Sequence, residues 1–117
     1  MKTRSFIASL ALLTASGVLV PADAQPRNPT HEAMAKLSAS DRNERLSVVL
    51  RDEGCRVTRS FFQGFDKSGG ATWNVACAKG PALSILIKND TKGSTRVVEC
   101  ATLKAFRVEC FKRFEDQ

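Results

Sequence analysis

The chain contains one histidine, no Cys-x-x-Cys pair and no apolar run longer than about fifteen residues, and each shortage removes a class of function. The lone His31 lies far from all four cysteines, so no zinc site of mixed cysteine and histidine ligands is expected, and no metal or cofactor. Without Cys-x-x-Cys, thioredoxin-like redox chemistry has no motif to use. His31-Glu32 begins like a zinc-protease helix, but Ala35 stands where the second histidine is needed. Gly64 and Gly69 have phosphate-loop spacing, yet Gly70 and Ala71 occupy the Lys and Ser/Thr positions. A Ser-His-Asp triad has only His31, in a lead-in segment, to draw on, and the neighbouring Asp52-Glu53 pair sits at a helix end where adjacent side chains diverge into solvent. No enzyme activity is expected.

The longest apolar run, Phe6 to Val20, is short of the roughly 20 residues that span a bilayer. Lys2 and Arg4 precede it and Ala22-Asp23-Ala24 follows, the three regions of a secretory signal peptide over 1–24, with cleavage expected between Ala24 and Gln25. No cysteine lies near that point to carry a lipid. A periplasmic or secreted protein without a transmembrane segment in its mature chain is expected. In that compartment, four cysteines in a short chain imply a disulfide framework that supports a small core.

Length and an ordinary composition, 43% apolar and 26% charged, allow one domain over 31–117 after a loose polar leader at 25–30. His31 to Ser38 carries Met34 and Leu37 at helical spacing, with Thr30 as its expected N-cap. Ser38 or Ser40 opens a second helix over about Asp41–Asp52, whose Leu46, Val49 and Leu50 form one apolar stripe and whose C-cap is Gly54. Beyond Gly54 the period changes to two. Strands are expected near Cys55–Phe62, Ala71–Cys77, Leu83–Ile87 and Arg96–Cys100, with short turns between them. The expected fold is therefore α+β, an N-terminal helix packed on a four-stranded antiparallel meander.

Folding the first hairpin about Asp66 sets Cys55 opposite Cys77, Val57 opposite Val75 and Arg59 opposite Trp73. Folding the last one sets Leu83 near Cys100 and Ile85 near Val98. The face with Arg56, Thr58, Ser60, Thr72, Asn74 and Ser84 is then wet. Cys77 and Cys100 are separated by a whole strand, too far for a bond, so the expected disulfides are Cys55–Cys77 and Cys100–Cys110.

The order of a short helix, Gly54-Cys55-x-Val57, Trp73-x-Val75-x-Cys77, Ile85-x-Ile87 and the stretch Thr95 to Cys100 with Cys110-Phe111 resembles a group of small exported bacterial proteins of uncharacterised function. More distantly, the helix-then-hairpin order is similar to PepSY-like periplasmic domains, which implies binding or inhibition of a partner. Neither resemblance carries functional residues over. From the residues themselves, Phe61, Phe62 and Phe65 cluster at the first hairpin, with Phe62 on the wet face and Phe65 in the turn, as a candidate contact patch for an envelope or extracellular protein. The alternative for Phe65 is that it folds back over the sheet edge and completes the core. With a net charge of +6, Lys79, Lys88, Lys92 and Arg96, and at the tail Lys104, Arg107, Lys112 and Arg113, form a candidate surface for anionic lipid headgroups or polysaccharide. Export makes nucleic acid an unlikely partner.

Overall fold

The computed structural model describes residues 28–117. The expected signal peptide, its cleavage site and residues 25–27 of the expected leader lie outside the described residues. Asn28 to Thr30, expected as the end of that leader, instead open a helix, α1 (Pro29–Ala35). Pro29 suits the first helical turn, where its missing N–H has no partner to lose. Asn28, not Thr30, is the N-cap: its Oδ1 accepts from the His31 amide at 3.1 Å. Its Nδ2 donates to the carbonyls of Ile87 and Gly69 at 2.9 and 3.0 Å, which ties the helix start to the sheet.

Helix α2 (Ala39–Val49) starts at Ser38, whose Oγ accepts from the Asp41 amide. It begins earlier than the expected Asp41 and tightens into a 3-10 turn, Arg51–Glu53, before Gly54 reverses the chain at φ 69°. Leu46 and Leu50 are fully buried, but Val49 is 40% exposed and faces a hollow between the two helices. The buried stripe is thus Leu46 and Leu50, completed by Met34 of α1 rather than by Val49.

Four strands follow, β1 (Val57–Phe65), β2 (Ala71–Cys77), β3 (Leu83–Ile87) and β4 (Thr95–Glu99), in one antiparallel sheet ordered β1-β2-β3-β4. The expected meander is present, with a helical layer on one face and disulfides at Cys55–Cys77 and Cys100–Cys110. The registers differ from expectation. The Asp66 amide donates to the Gly70 carbonyl, and Asp66 Oδ1 accepts from the Ser68 and Gly70 amides, so the first turn centres two residues later than Asp66. β1 accordingly extends through Phe65. Two irregularities in β1, between Val57 and Arg59 and between Phe62 and Gly64, absorb part of the shift. Val57 therefore pairs with Cys77, Ser60 with Val75 and Phe62 with Trp73. Cys55 precedes the strand and still reaches Cys77, with their Cα atoms 5.1 Å apart. At the last hairpin Leu83 pairs with Glu99 and Ile85 with Val97, one residue from expectation. There the Lys88 amide donates to the Ser94 carbonyl, and Asp90 Oδ1 accepts from the amides of Lys92, Gly93 and Ser94.

Trp73, Val75, Leu83, Ile85 and Ile87 face the helices and, with Leu46 and Leu50, make the core. The opposite face is only partly the wet surface expected: Arg56 and Thr58 are exposed and Ser60 and Thr72 half-buried, but its centre is covered. Asn74 is 0% exposed and Ser84 5%, because a third layer covers them: helix α3 (Cys100–Ala105) and the tail through Gln117. The Cys100–Cys110 bond turns the chain back over the sheet, and the backbone groups it brings there require polar partners.

Candidate functional site: a disulfide-closed loop latched to the sheet

The C-terminal layer is held by a small polar latch. Gln63 on β1, Asn74 on β2 and Ser84 on β3 are neighbours on the outer sheet face and all buried. Asn74 Nδ2 donates to Gln63 Oε1 at 3.0 Å and to Ser84 Oγ at 3.3 Å, while its Oδ1 accepts from the Phe111 amide at 2.8 Å. Gln63 Nε2 donates to the carbonyls of Glu109 and Lys112, at 2.7 and 3.0 Å. Buried amides are costly unless satisfied, and here the satisfaction is supplied by one segment of backbone in one position. The latch therefore fixes that segment by direction as well as by energy. Phe111 adds an apolar contact to Phe61, and the Arg59 guanidinium lies 4.3 Å from its ring centre.

Between the two disulfide ends, α3 closes in a Schellman turn. The Val108 amide donates to the Leu103 carbonyl and the Arg107 amide to the Lys104 carbonyl. Arg107 occupies the left-handed position of this turn at φ 66°, where glycine is the usual residue. A side chain there costs on the order of 1–2 kcal/mol. Phe106, just before it, is 74% exposed, the most exposed large apolar side chain among the described residues. Lys104 and Arg107 have no salt bridge among the described residues, whereas Lys112 pairs with Glu109 at 3.8 Å and Arg113 with Glu115 at 3.3 Å. Those two pairs are exposed, so they lower the local net charge more than they stabilise the fold. Lys104, Arg107 and Lys112 line one cleft beside Val108 and Gln117.

The loop's inner side borders a second hollow, a groove of about 280 Å³ between the cap and the sheet. Leu86 and Val98 form its floor, Leu103, Val108 and Phe114 its cap wall, and Arg96 lies along it. Phe114 sits close because Gly64 has no side chain: a Cβ there would lie 2.8 Å from Phe114 Cδ2.

The remaining expected residues fall elsewhere. Phe62 is on the core face, packed against Trp73 and His31, because the shifted register pairs it with Trp73. It is not the wet-face contact expected. Phe65 is at the end of β1 rather than in the turn; it packs edge-on to His31 and Phe62 but is 55% exposed, so it does not complete the core. Lys79 lines a different cleft, with Glu53 and Glu99, so the expected basic surface is divided. Asp52 and Glu53 are exposed.

His31 is buried rather than in a loose lead-in, and its Nδ1 accepts from Trp73 Nε1 at 3.0 Å. The neutral ring therefore carries its proton on Nε2. Burial pushes its pKa below 6.5, against a smaller upward pull from Glu32. Among the described residues no group of three or more His, Cys, Asp or Glu side chains is placed to hold a metal ion, and no helix is long and apolar enough to cross a membrane.

Sequence reasoning missed the latch and the exposure of Phe106. The available signal for the former was chemical: Gln63, Asn74 and Ser84 are uncharged hydrogen-bonding residues, as a buried polar row requires. Comparison with family models, with curated proteins and with solved structures finds no match to this chain.

Proposed function

We propose that this protein is an exported, non-catalytic interaction domain that docks a protein partner on the Cys100–Cys110 loop, in the manner of a small binding or inhibitory module. The observation that carries the reading is the dipeptide Phe106-Arg107: a fully presented aromatic beside an arginine held in a glycine-type conformation. Neither residue serves packing, and both are placed by a disulfide, a Schellman turn and a buried latch. Aromatic and arginine side chains on a rigid loop lose little entropy on docking and are the types that dominate binding energy. The signal-peptide pattern in residues 1–24 and the two disulfides support export. The resemblance to small exported bacterial proteins, and more distantly to PepSY-like domains, points the same way. His31 supports a non-catalytic role, since Trp73 already occupies the nitrogen that would accept a proton.

The test is a pull-down from envelope extract with the oxidised chain, run in parallel with Phe106→Ser, Arg107→Glu and Phe65→Ser. A partner retained by the wild type and by Phe65→Ser, and lost with both loop variants, is the expected pattern. Retention by Phe106→Ser at wild-type level would remove the loop from the reading.

A second reading is favoured by Lys104 and Arg107, two cations flanking Phe106 that have no salt bridge among the described residues: the same loop rests on anionic lipid headgroups or polysaccharide. Co-sedimentation with phosphatidylglycerol vesicles, weakening as salt rises from about 50 to 500 mM, separates it from protein docking.

A further inference from the structure

We infer that the groove between the C-terminal cap and the outer sheet face is a binding site for a small amphipathic anion, a carboxylate with an apolar body, whose charged end is held by Arg96. This goes beyond the loop reading and does not depend on it, because the groove lies on the loop's inner side and Phe106 takes no part in it.

Shape and chemistry each supply part of the case. The groove is lined by Leu86 and Val98 from the sheet and Leu103, Val108 and Phe114 from the cap, with the uncharged polar Gln63, Thr72 and Ser84 between them. Its volume of about 280 Å³ is roughly twice that of a cavity that accepts one benzene, and near the lower limit for small-molecule pockets. A body of eight to ten carbons is the matching size, at that order of magnitude. The register fixes where charge sits. Thr72, Leu86 and Arg96 pair in sequence across β2, β3 and β4, so Arg96 stands at the β4 end of the row that floors the groove. The Arg96 side chain is exposed and lines the groove, and its guanidinium has no hydrogen bond or salt bridge among the described residues.

The other charged group at the groove is Asp66, at the β1 end. Three strand spacings of roughly 4.8 Å separate the two ends, on the order of 14 Å. Asp66 Oδ1 already accepts from the Ser68 amide, the Ser68 hydroxyl and the Gly70 amide, so its charge is answered within its own turn. The unanswered charge is therefore the guanidinium. It presents a planar fork that matches a carboxylate, and the apolar walls select for a hydrocarbon body over acetate or chloride.

Gly64 belongs to the same construction. It lets Phe114 close against β1 and so completes the wall opposite Val98.

The experiment is an NMR titration of the oxidised chain with three probes: octanoate, octyltrimethylammonium and acetate. Octanoate is expected to shift the signals of Leu86, Val98, Leu103 and Val108 saturably, with Kd on the order of 1 mM or tighter for a ligand of this size. Acetate, with no body, should produce no saturable shift, and octyltrimethylammonium should bind at least about tenfold more weakly. Arg96→Gln is a surface change that leaves the core intact; it should weaken octanoate about tenfold and leave octyltrimethylammonium unaffected. Val98→Phe, which fills the floor, should abolish octanoate shifts, with far-UV circular dichroism confirming the fold. Equal binding of the two octyl probes, unchanged octanoate affinity in Arg96→Gln, or no saturable octanoate shift would each overturn the assignment. If octanoate instead shifted only the signals around Phe106, the loop would be the apolar site and the groove would not.

Discussion

Replacing Asn74 with alanine tests whether the C-terminal cap is held by the polar latch. The side chain is completely buried and makes three hydrogen bonds, at 2.8, 3.0 and 3.3 Å. Its removal leaves the Phe111 amide without an acceptor and Gln63 Oε1 without a donor, whereas Ser84 Oγ loses only the longest of the three bonds, a donor at 3.3 Å. An unsatisfied buried group costs about 1–3 kcal/mol, so two of them, one in a half-buried backbone, come to about 3 kcal/mol. For a domain of this size that is a fall in Tm of about 12–24 °C. Urea denaturation gives the total loss and amide hydrogen exchange its location. Phe111 and the residues around Cys110 should lose protection first, while Trp73, Val75 and Ile85 keep theirs, because their side chains pack in the core on the other face of the sheet. Asn74→Asp sharpens the test. It keeps an acceptor for Phe111 but, when ionised, sets a buried charge against Gln63 Oε1, so its carboxyl pKa is raised and its stability falls as pH rises through that range. A loss below about 1 kcal/mol for Asn74→Ala, with the Phe111 amide still protected, would refute the reasoning.

Three further outcomes are expected. Replacing Cys100 and Cys110 by alanine should cost about 3 kcal/mol for a loop with a sequence separation of 10, and replacing Cys55 and Cys77 slightly more for a separation of 22, by urea midpoints of the two double variants. Arg107→Gly should stabilise the fold by about 0.5–1 kcal/mol, since it relieves a left-handed arginine at the expense of unfolded-state entropy; destabilisation in a urea titration would mean that the guanidinium holds the cap. Stability should fall on acidification in two stages. Below about 6.5 the unfolded state takes up a proton that His31, with its lowered pKa and its Nδ1 bonded to Trp73, resists, and a flat profile between pH 7 and 5 in His31→Phe would confirm the source. Below about 3.8, Asp66 and Asp90, whose pKa values are lowered by hydrogen bonds within their turns, add a second loss, present in both proteins.

Strand existence and the disulfide pairs were legible because they rest on local pattern. Trp73-x-Val75-x-Cys77 and Leu83-x-Ile85-x-Ile87 alternate whatever their neighbours do, and the intervening strand β3 keeps Cys77 and Cys100 apart, which leaves few bonds within reach. Register was not legible, because it depends on how each turn closes. Asp66 caps the amides of Ser68 and Gly70, which moved the hairpin centre by two residues and carried Phe62 from the wet face to Trp73. The N-cap was misplaced for a related reason. Thr30 and Asn28 are both good caps by type, but only Asn28 also reaches the Ile87 and Gly69 carbonyls, a contact 59 and 41 residues away that no window around it contains. The cap layer was hidden most completely. Val108 to Phe114 has no periodicity, and its place is fixed by backbone groups meeting Gln63 and Asn74 rather than by an apolar stripe.

The two faces of the sheet are thus held by different physics. On the inner face Leu46, Trp73 and Ile85 are close-packed, so a change of shape there is felt through the whole core. On the outer face a disulfide and a few directed hydrogen bonds fix the cap, and between those points Phe106 and Arg107 are free of packing duty: Phe106 stands in solvent and Arg107 occupies a glycine position. Substitutions at Phe106, Arg107 or Arg96 leave the inner core untouched, whereas those at Asn74 release the surface that presents them. A face fixed at a few points leaves the side chains between them open to substitution without cost to the inner core, which is what the proposed docking role requires.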